Sequence, residues 1–309
     1  MLEFKNDKIA IPIVLLAGLL WSFGPLVVRY MDQPGESPWQ YIFARGLTIF
    51  IVLNLYLYFE EGKNFLKNYL KVGVSGLIGG CGLGIAMITF IYSITNTSAA
   101  VTLLCLAAMP FFTALLGFLF LNEKISFNVW IAIGIATIGI IIIALGNTEK
   151  SSLIGLIFGM TSSIGFSIFS VTLRWRKETP KFTTVAVAGL FCVIVSLTFI
   201  AITKSQILST SYNGAMFSLH GTIVCLGLIL YSIGSKAIPA AELTLLSLTE
   251  VIGGIFWVWL PLFGINEVPS ANTIIGGFFL FMSIISVSYT HLRAHETDSY
   301  LVCRLLLEK

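Results

Sequence analysis

The chain has 309 residues, of which 57% are hydrophobic and 11% charged, with a formal net charge of +3. A water-soluble domain carries about 25% charged residues, so this apolar excess excludes a single soluble core and implies an all-α integral membrane protein of a cell membrane, the inner one if the source is bacterial. So small a positive excess gives no basis for a nucleic-acid partner, and Cys81, Cys105, Cys192 and Cys225 lie inside apolar runs, where a cysteine reads as a small buried hydrophobe.

A membrane-spanning helix needs about 20 mostly apolar residues and must satisfy its own backbone hydrogen bonds in lipid. In chain order such runs fall at approximately 9–29, 39–59, 71–93, 98–121, 127–146, 152–173, 182–203, 215–235, 239–262 and 272–287. They predict ten transmembrane helices, the tenth truncated after about 16 residues. The N-terminal MLEFKNDK leads straight into a run too long for a signal-peptide core, with no small-residue cleavage pattern after it. Cytoplasmic loops retain Lys and Arg. With the N-terminus inside, the inner segments hold eleven such residues: Lys5, Lys8, Lys63, Lys67, Lys71, Lys124, Arg174, Arg176, Lys177, Lys181 and Lys236. The outer segments hold three, Arg29, Lys150 and Lys204, and Arg45 falls within a span. A cytoplasmic N-terminus follows.

The sequence resembles itself at one offset. GLLWSFG at 18–24 and GMTSSIG at 159–165 both fit G-x-x-x-S-x-G, 141 residues apart, and SAAVTLLCLAAMP at 98–110 lies over PAAELTLLSLTEV at 239–251 with the same offset. The expected organisation is two five-helix repeats, residues 1–148 and 149–286. An odd number of spans per repeat makes the second enter the membrane from the opposite side, and inverted repeats around a midplane site are the architecture of secondary transporters.

The stretches AGLLWSFGPLVVRY, YIFARGL, YSITNTSAAVTLLCLAAMPFFTALLGFLFLNEKIS and LTEVIGGIFWVWLPLFGINEVPSANTIIGG, in that order, resemble the EamA branch of the drug/metabolite transporter superfamily over roughly residues 9–287. The resemblance implies ten helices in two EamA repeats with cytoplasmic ends. It also implies a small-molecule substrate, a metabolite, amino acid or drug-like compound, moved in many members by an ion gradient or by exchange. A lipid-carrier flippase lies within the same superfamily. One departure stands out: where the family's ninth helix often has Pro after Glu, this chain has Val251, so that helix is expected to bend differently.

Ionisable groups inside a span are costly and are functional candidates by default. Glu250 falls near the middle of the ninth run, where it could exchange a proton as the site is alternately hydrated, pair with a cationic cargo, or remain a hydrogen-bonded structural acid. Arg45, about a turn and a half inside the second run, matches a position where the family typically has Arg. It could hold a carboxylate in bidentate fashion, or snorkel to the outer headgroups. His220 is the only histidine in the body of the chain, able in principle to titrate near neutrality or to serve as a satisfied polar group. Pro110 should break the fourth helix and bare carbonyls to a cavity. The resemblance places Trp21, Ser22 and Tyr92 on helices that line the family's central pocket, with plain helix packing as the alternative. Glu242, three residues after Pro239, suits the positive end of a helix, and Glu123 and Glu267 read as helix-end residues. The Gly-rich SGLIGGCGLG at 75–84 lacks the Lys-Ser/Thr ending of a phosphate loop and suits close helix contact.

An intramembrane enzyme would need a nucleophile with its base, or clustered metal ligands. The body of the chain has neither G-x-S-x-G nor H-E-x-x-H, so no catalytic role, metal or cofactor is expected; nothing bears on oligomeric state. The tail carries His291 and His295 as H-x-x-x-H, followed by Glu296, Asp298 and Cys303. In frame, a transposase sequencing-library adapter reads VSYTHLRAHET, matching 287–297, and its continuation past an index reads YLVCRLLLEK, matching 300–309. Residues 287–309 are accordingly expected to be adapter read-through rather than a metal site.

Overall fold

A computed structural model describes residues 7–286 apart from 98, 124, 147–152, 177, 208–209, 266–267, 269 and 273. Glu267 and the tail 287–309 with its histidine pair lie outside the described residues.

Each predicted run is occupied by helix. The first and second are α1, Asp7–Arg29, and α2, Pro38–Glu61. A 3-10 turn and the short α3, Leu66–Lys71, lead into α4, Gly73–Asn96. The fourth run divides into α5, Ala99–Leu106, and α6, Met109–Leu121. Then come α7, Phe127–Gly146; α8, Leu153–Trp175; α9, Lys181–Thr203; and α10, Ser211–Gly234. The ninth run divides into α11, Ala240–Leu246, and α12, Thr249–Trp259, and Ile274–Ser286 forms α13. Eight of these segments are long and apolar enough to cross a membrane, while Phe127–Ile142 of α7 and all of α13 are shorter apolar helices.

The fourth run breaks just before Pro110. Proline has no N–H and tolerates only the first turn of a helix, and Pro110 occupies the start of α6. The ninth run breaks at the equivalent place although Val251 replaces the proline, which corrects the expectation of a different bend. Hydroxyls do the work there. Ser247 Oγ donates to the Thr244 carbonyl at 2.8 Å and Thr249 Oγ1 to the Leu246 carbonyl at 3.1 Å, while Glu250 N bonds the Ser247 carbonyl at 3.0 Å in the tighter three-residue pattern. Back-bonding of this kind competes with the regular helical ladder and bends it.

Packing follows the pairs α4 with α8, α2 with α9, and α1 with α10. Association in lipid relies on close van der Waals contact, which small residues permit. A Cβ on Gly189 would stand 2.8 Å from the Gly46 carbonyl oxygen where α2 crosses α9. A Cβ on Gly165 would stand 2.6 Å from the Gly82 carbonyl oxygen where α4 crosses α8. The glycine run at 75–84 thus serves helix contact. The broken helices pack inside this frame, α5 and α6 against α8 and α12 against α1.

Candidate functional site: a central cavity

Trp21 of α1, Arg45 of α2, His220 of α10 and Glu250 of α12 line one cavity in the middle of the bundle. Its remaining wall is largely apolar, with Met87 and Phe90 of α4 and Phe166 of α8 among the contributors. Trp21 and Ser162, Leu83 and Val224, Met87 and Leu228, and Met109 and Glu250 all line it, and the members of each pair are 141 residues apart.

Arg45 is only 6% exposed and faces inward, so it does not snorkel. Its Nε and Nη1 have no hydrogen-bond partner among the described residues, and its guanidinium lies 5.5 Å from the Phe90 ring centroid. Buried charge with unused donors is expensive, and a π face compensates it only in part. Glu250 lines the same space, yet among the described residues it forms no ion pair with Arg45. An arginine and an ionisable carboxyl therefore face one cavity without pairing with each other.

His220 is buried and its Nδ1 is hydrogen-bonded to the hydroxyl of Tyr41, one helical turn before Arg45 on α2. Tyr41 in turn stacks on Phe217 with ring centroids 4.5 Å apart. The imidazole is thus a fixed, partnered group at the cavity edge. Trp21 Nε1 donates to the Val224 carbonyl at 3.2 Å, and its ring packs on Phe166 and Tyr231. These contacts hold the indole as a rigid wall.

The other three expected residues do not line the cavity. Successive helix residues are rotated by about 100°, so with Trp21 inward Ser22 turns toward α12, where its Oγ accepts from Trp257 Nε1 at 2.8 Å and donates to the Leu19 carbonyl at 2.6 Å. Phe90 takes the inward position on α4 and leaves Tyr92 on another face, packed against Trp39 and Phe158. Met109 lines the cavity, whereas Pro110 lines a side pocket with Phe111 and residues of α7. Two serines of α8 bond carbonyls on either side of this break. Ser163 Oγ donates to the Cys105 carbonyl and Ser167 Oγ donates to the Met109 carbonyl at 3.1 Å.

Sequence reasoning missed a polar tie at one end of the bundle. Glu123, read as a helix-end marker, follows the αL cap at Asn122, and its Oε1 is 2.6 Å from Arg174 Nε at the end of α8. Arg174 Nη1 also donates to the carbonyls of Ser235 at 3.2 Å and Ile238 at 2.7 Å, and Ala240 N donates to Glu123 Oε2 at 3.3 Å. Four helix ends, of α6, α8, α10 and α11, are thereby joined. Glu242 sits in the first turn of α11, as expected of a carboxylate at a helix start. At the opposite end of α1, Asn213 Nδ2 donates to the Asp32 carbonyl at 2.8 Å, and the Tyr212 hydroxyl donates to the Tyr30 carbonyl at 2.8 Å.

Residues 8–145 match the EamA-like transporter family. The first half of the chain is thus similar to an EamA domain. A protein of Helicobacter pylori named as an uncharacterized transporter is 29% identical over 173 residues, 54% of this chain and 56% of that protein. The chain thus spans about half the length of the curated relatives matched first. A pseudopaline exporter of Pseudomonas aeruginosa is 24% identical over 222 residues, 70% of this chain and 74% of that protein. A crystal structure of a protein shares the fold, with a TM-score of 0.71 at 16% identity over 94% of this chain and 99% of that one. The match to the EamA-like family, the relatives named as transporters and eight apolar helices long enough to span identify a multi-pass protein of the cell membrane.

Proposed function

We propose that this EamA protein is a secondary transporter that moves a small solute through the central cavity by alternating access, driven by a proton gradient or by exchange. In this reading ten transmembrane helices form two inverted repeats, 1–148 and 149–286, with a cytoplasmic N-terminus. The observation that carries it is the cavity: lining positions 141 residues apart converge on one space that holds Arg45, His220 and Glu250 in an otherwise largely apolar wall. Substrate sites of inverted-repeat transporters lie at the repeat interface, beside interrupted helices, and both interrupted helices here reach the cavity through Leu106, Met109 and Glu250. The relatives named as transporters, one of them a pseudopaline exporter, support transport without giving a cargo for this chain.

The cargo suited to this cavity carries a carboxylate for the unused donors of Arg45 and a cationic group for Glu250, with an apolar remainder against Met87, Phe90 and Phe166. Glu250 cannot hold a proton and a cationic cargo group at once, and that competition is the minimal device for exchange. The tie of Glu123 and Arg174 lies on the side that the Lys and Arg distribution makes cytoplasmic, and it would have to part when the cavity opens there. The test is uptake by proteoliposomes of labelled amino acids and metabolites with and without a pH gradient. Saturable uptake of a zwitterion is expected, and absence of uptake across the panel would overturn the proposal.

A further inference from the structure

A second pocket, away from the central cavity, lies where the end of α2 and α3 meet the start of α9 and the end of α10. Three lysines line it, Lys71, Lys181 and Lys236, together with Glu61 and Glu178. Glu61 is engaged by Asn68, whose Nδ2 donates to its Oε2 at 2.7 Å. Lys181 Nζ donates to Ser235 Oγ at 2.8 Å, which leaves two of its three protons.

Two hydroxyls in the wall set this pocket apart from a solvated charge cluster. Thr183 and Ser232 also line it, at 0% and 1% exposure, and neither Thr183 Oγ1 nor Ser232 Oγ has a hydrogen-bond partner among the described residues. A buried hydroxyl without a partner costs about 1–3 kcal/mol, so two in one pocket call for an occupant that accepts hydrogen bonds. The lysines give that occupant its sign. Three lysines against two carboxylates, Glu61 and Glu178, leave the space with one positive charge in excess, which an anion would meet. Thr183 lies in the first turn of α9, where the helix dipole adds positive potential. A tetrahedral oxyanion presents several acceptor oxygens to ammonium and hydroxyl donors at once. The pocket sits at helix ends, the depth of the membrane at which lipid phosphates lie, and basic pockets between helices there take anionic headgroups.

We infer that this pocket binds a phosphate group, with Lys181, Lys236 and Lys71 as its charges and Ser232 and Thr183 as its hydroxyl donors. The phosphate belongs either to an anionic lipid headgroup or to a free phosphate, and both sources present the same oxyanion. The site is separate from the cargo cavity and does not depend on the transport reading.

The test uses the full chain, purified and stripped of lipid, with thermal melting and native mass spectrometry as readouts. One arm adds phosphatidylglycerol, a second phosphatidylcholine, and a third inorganic phosphate. Phosphatidylglycerol is expected to raise the melting temperature by several degrees and to remain bound in the mass spectrum, more than phosphatidylcholine does. Lys236→Gln should weaken its apparent affinity about tenfold, the worth of one charge-assisted hydrogen bond, and Ser232→Ala should weaken it severalfold while leaving the lipid-free melting temperature unchanged or higher. Stabilisation by inorganic phosphate with the same dependence on both residues identifies a free phosphate as the ligand at the same site. If neither phosphatidylglycerol nor phosphate stabilises the protein, or if the gain is the same in Lys236→Gln and Ser232→Ala, the inference is overturned.

Discussion

Glu123→Gln cuts the tie between the two halves of the chain while keeping the shape of the side chain. In the wild type the Glu123 carboxylate accepts from Arg174 Nε at 2.6 Å and from Ala240 N at 3.3 Å, and Arg174 continues to the carbonyls of Ser235 and Ile238. The two side chains are 20% and 26% exposed. A fully buried charge-assisted hydrogen bond is worth about 1.5–3 kcal/mol and an exposed ion pair about 0–1 kcal/mol. Partial exposure puts this one near 1–2 kcal/mol, a shift of about 5–30-fold between a state closed at this end and one open there. Reaction of Met87→Cys, on the cavity wall, with an impermeant maleimide in a cysteine-free background reads that population from the side where Glu123 lies. Labelling should rise about tenfold in Glu123→Gln. Because the two residues share one interaction, while Arg174→Gln also removes the bonds to Ser235 and Ile238, the double variant should exceed Glu123→Gln but fall short of the sum of the two single effects. An unchanged rate, or fully additive effects of the two substitutions, would show that the tie does not hold this end shut.

Glu250→Gln should remove any dependence of transport on the pH gradient while leaving exchange of cargo measurable; full gradient dependence in that variant would exclude Glu250 as the coupling group. Gly165→Ala places a methyl group 2.6 Å from the Gly82 carbonyl oxygen, an overpacking that costs about 1–3 kcal/mol and should lower the melting temperature in detergent by several degrees. Ser247→Ala removes one hydroxyl bond at the proline-free break of α11 and α12. It should leave the protein folded but alter labelling of a cysteine at position 250, and unchanged labelling would assign the break to the surrounding packing.

The helices were legible because lipid imposes long apolar runs, and the fourth break because proline cannot continue a helix. The break between α11 and α12 carried no such signal, since serine and threonine bend a helix only when their hydroxyls turn back on it. Arg45 and Glu250 stood out as charges inside spans, and their convergence on one cavity needed the fold. Ser22 and Tyr92 show what a run cannot give: placing a helix at a pocket does not say which of its faces looks inward. The Glu123–Arg174 tie joins residues 51 apart in sequence at two helix ends, where a lone charge looks like any loop residue.

Counterflow in proteoliposomes tests the central claim most directly. Vesicles loaded with an unlabelled zwitterionic amino acid should accumulate the labelled form transiently, with Arg45→Gln reducing apparent affinity at least tenfold for the amino acid but not for its amide, which has no carboxylate. Counterflow equal in wild type and Arg45→Gln for both compounds would contradict the cavity as the route of transport.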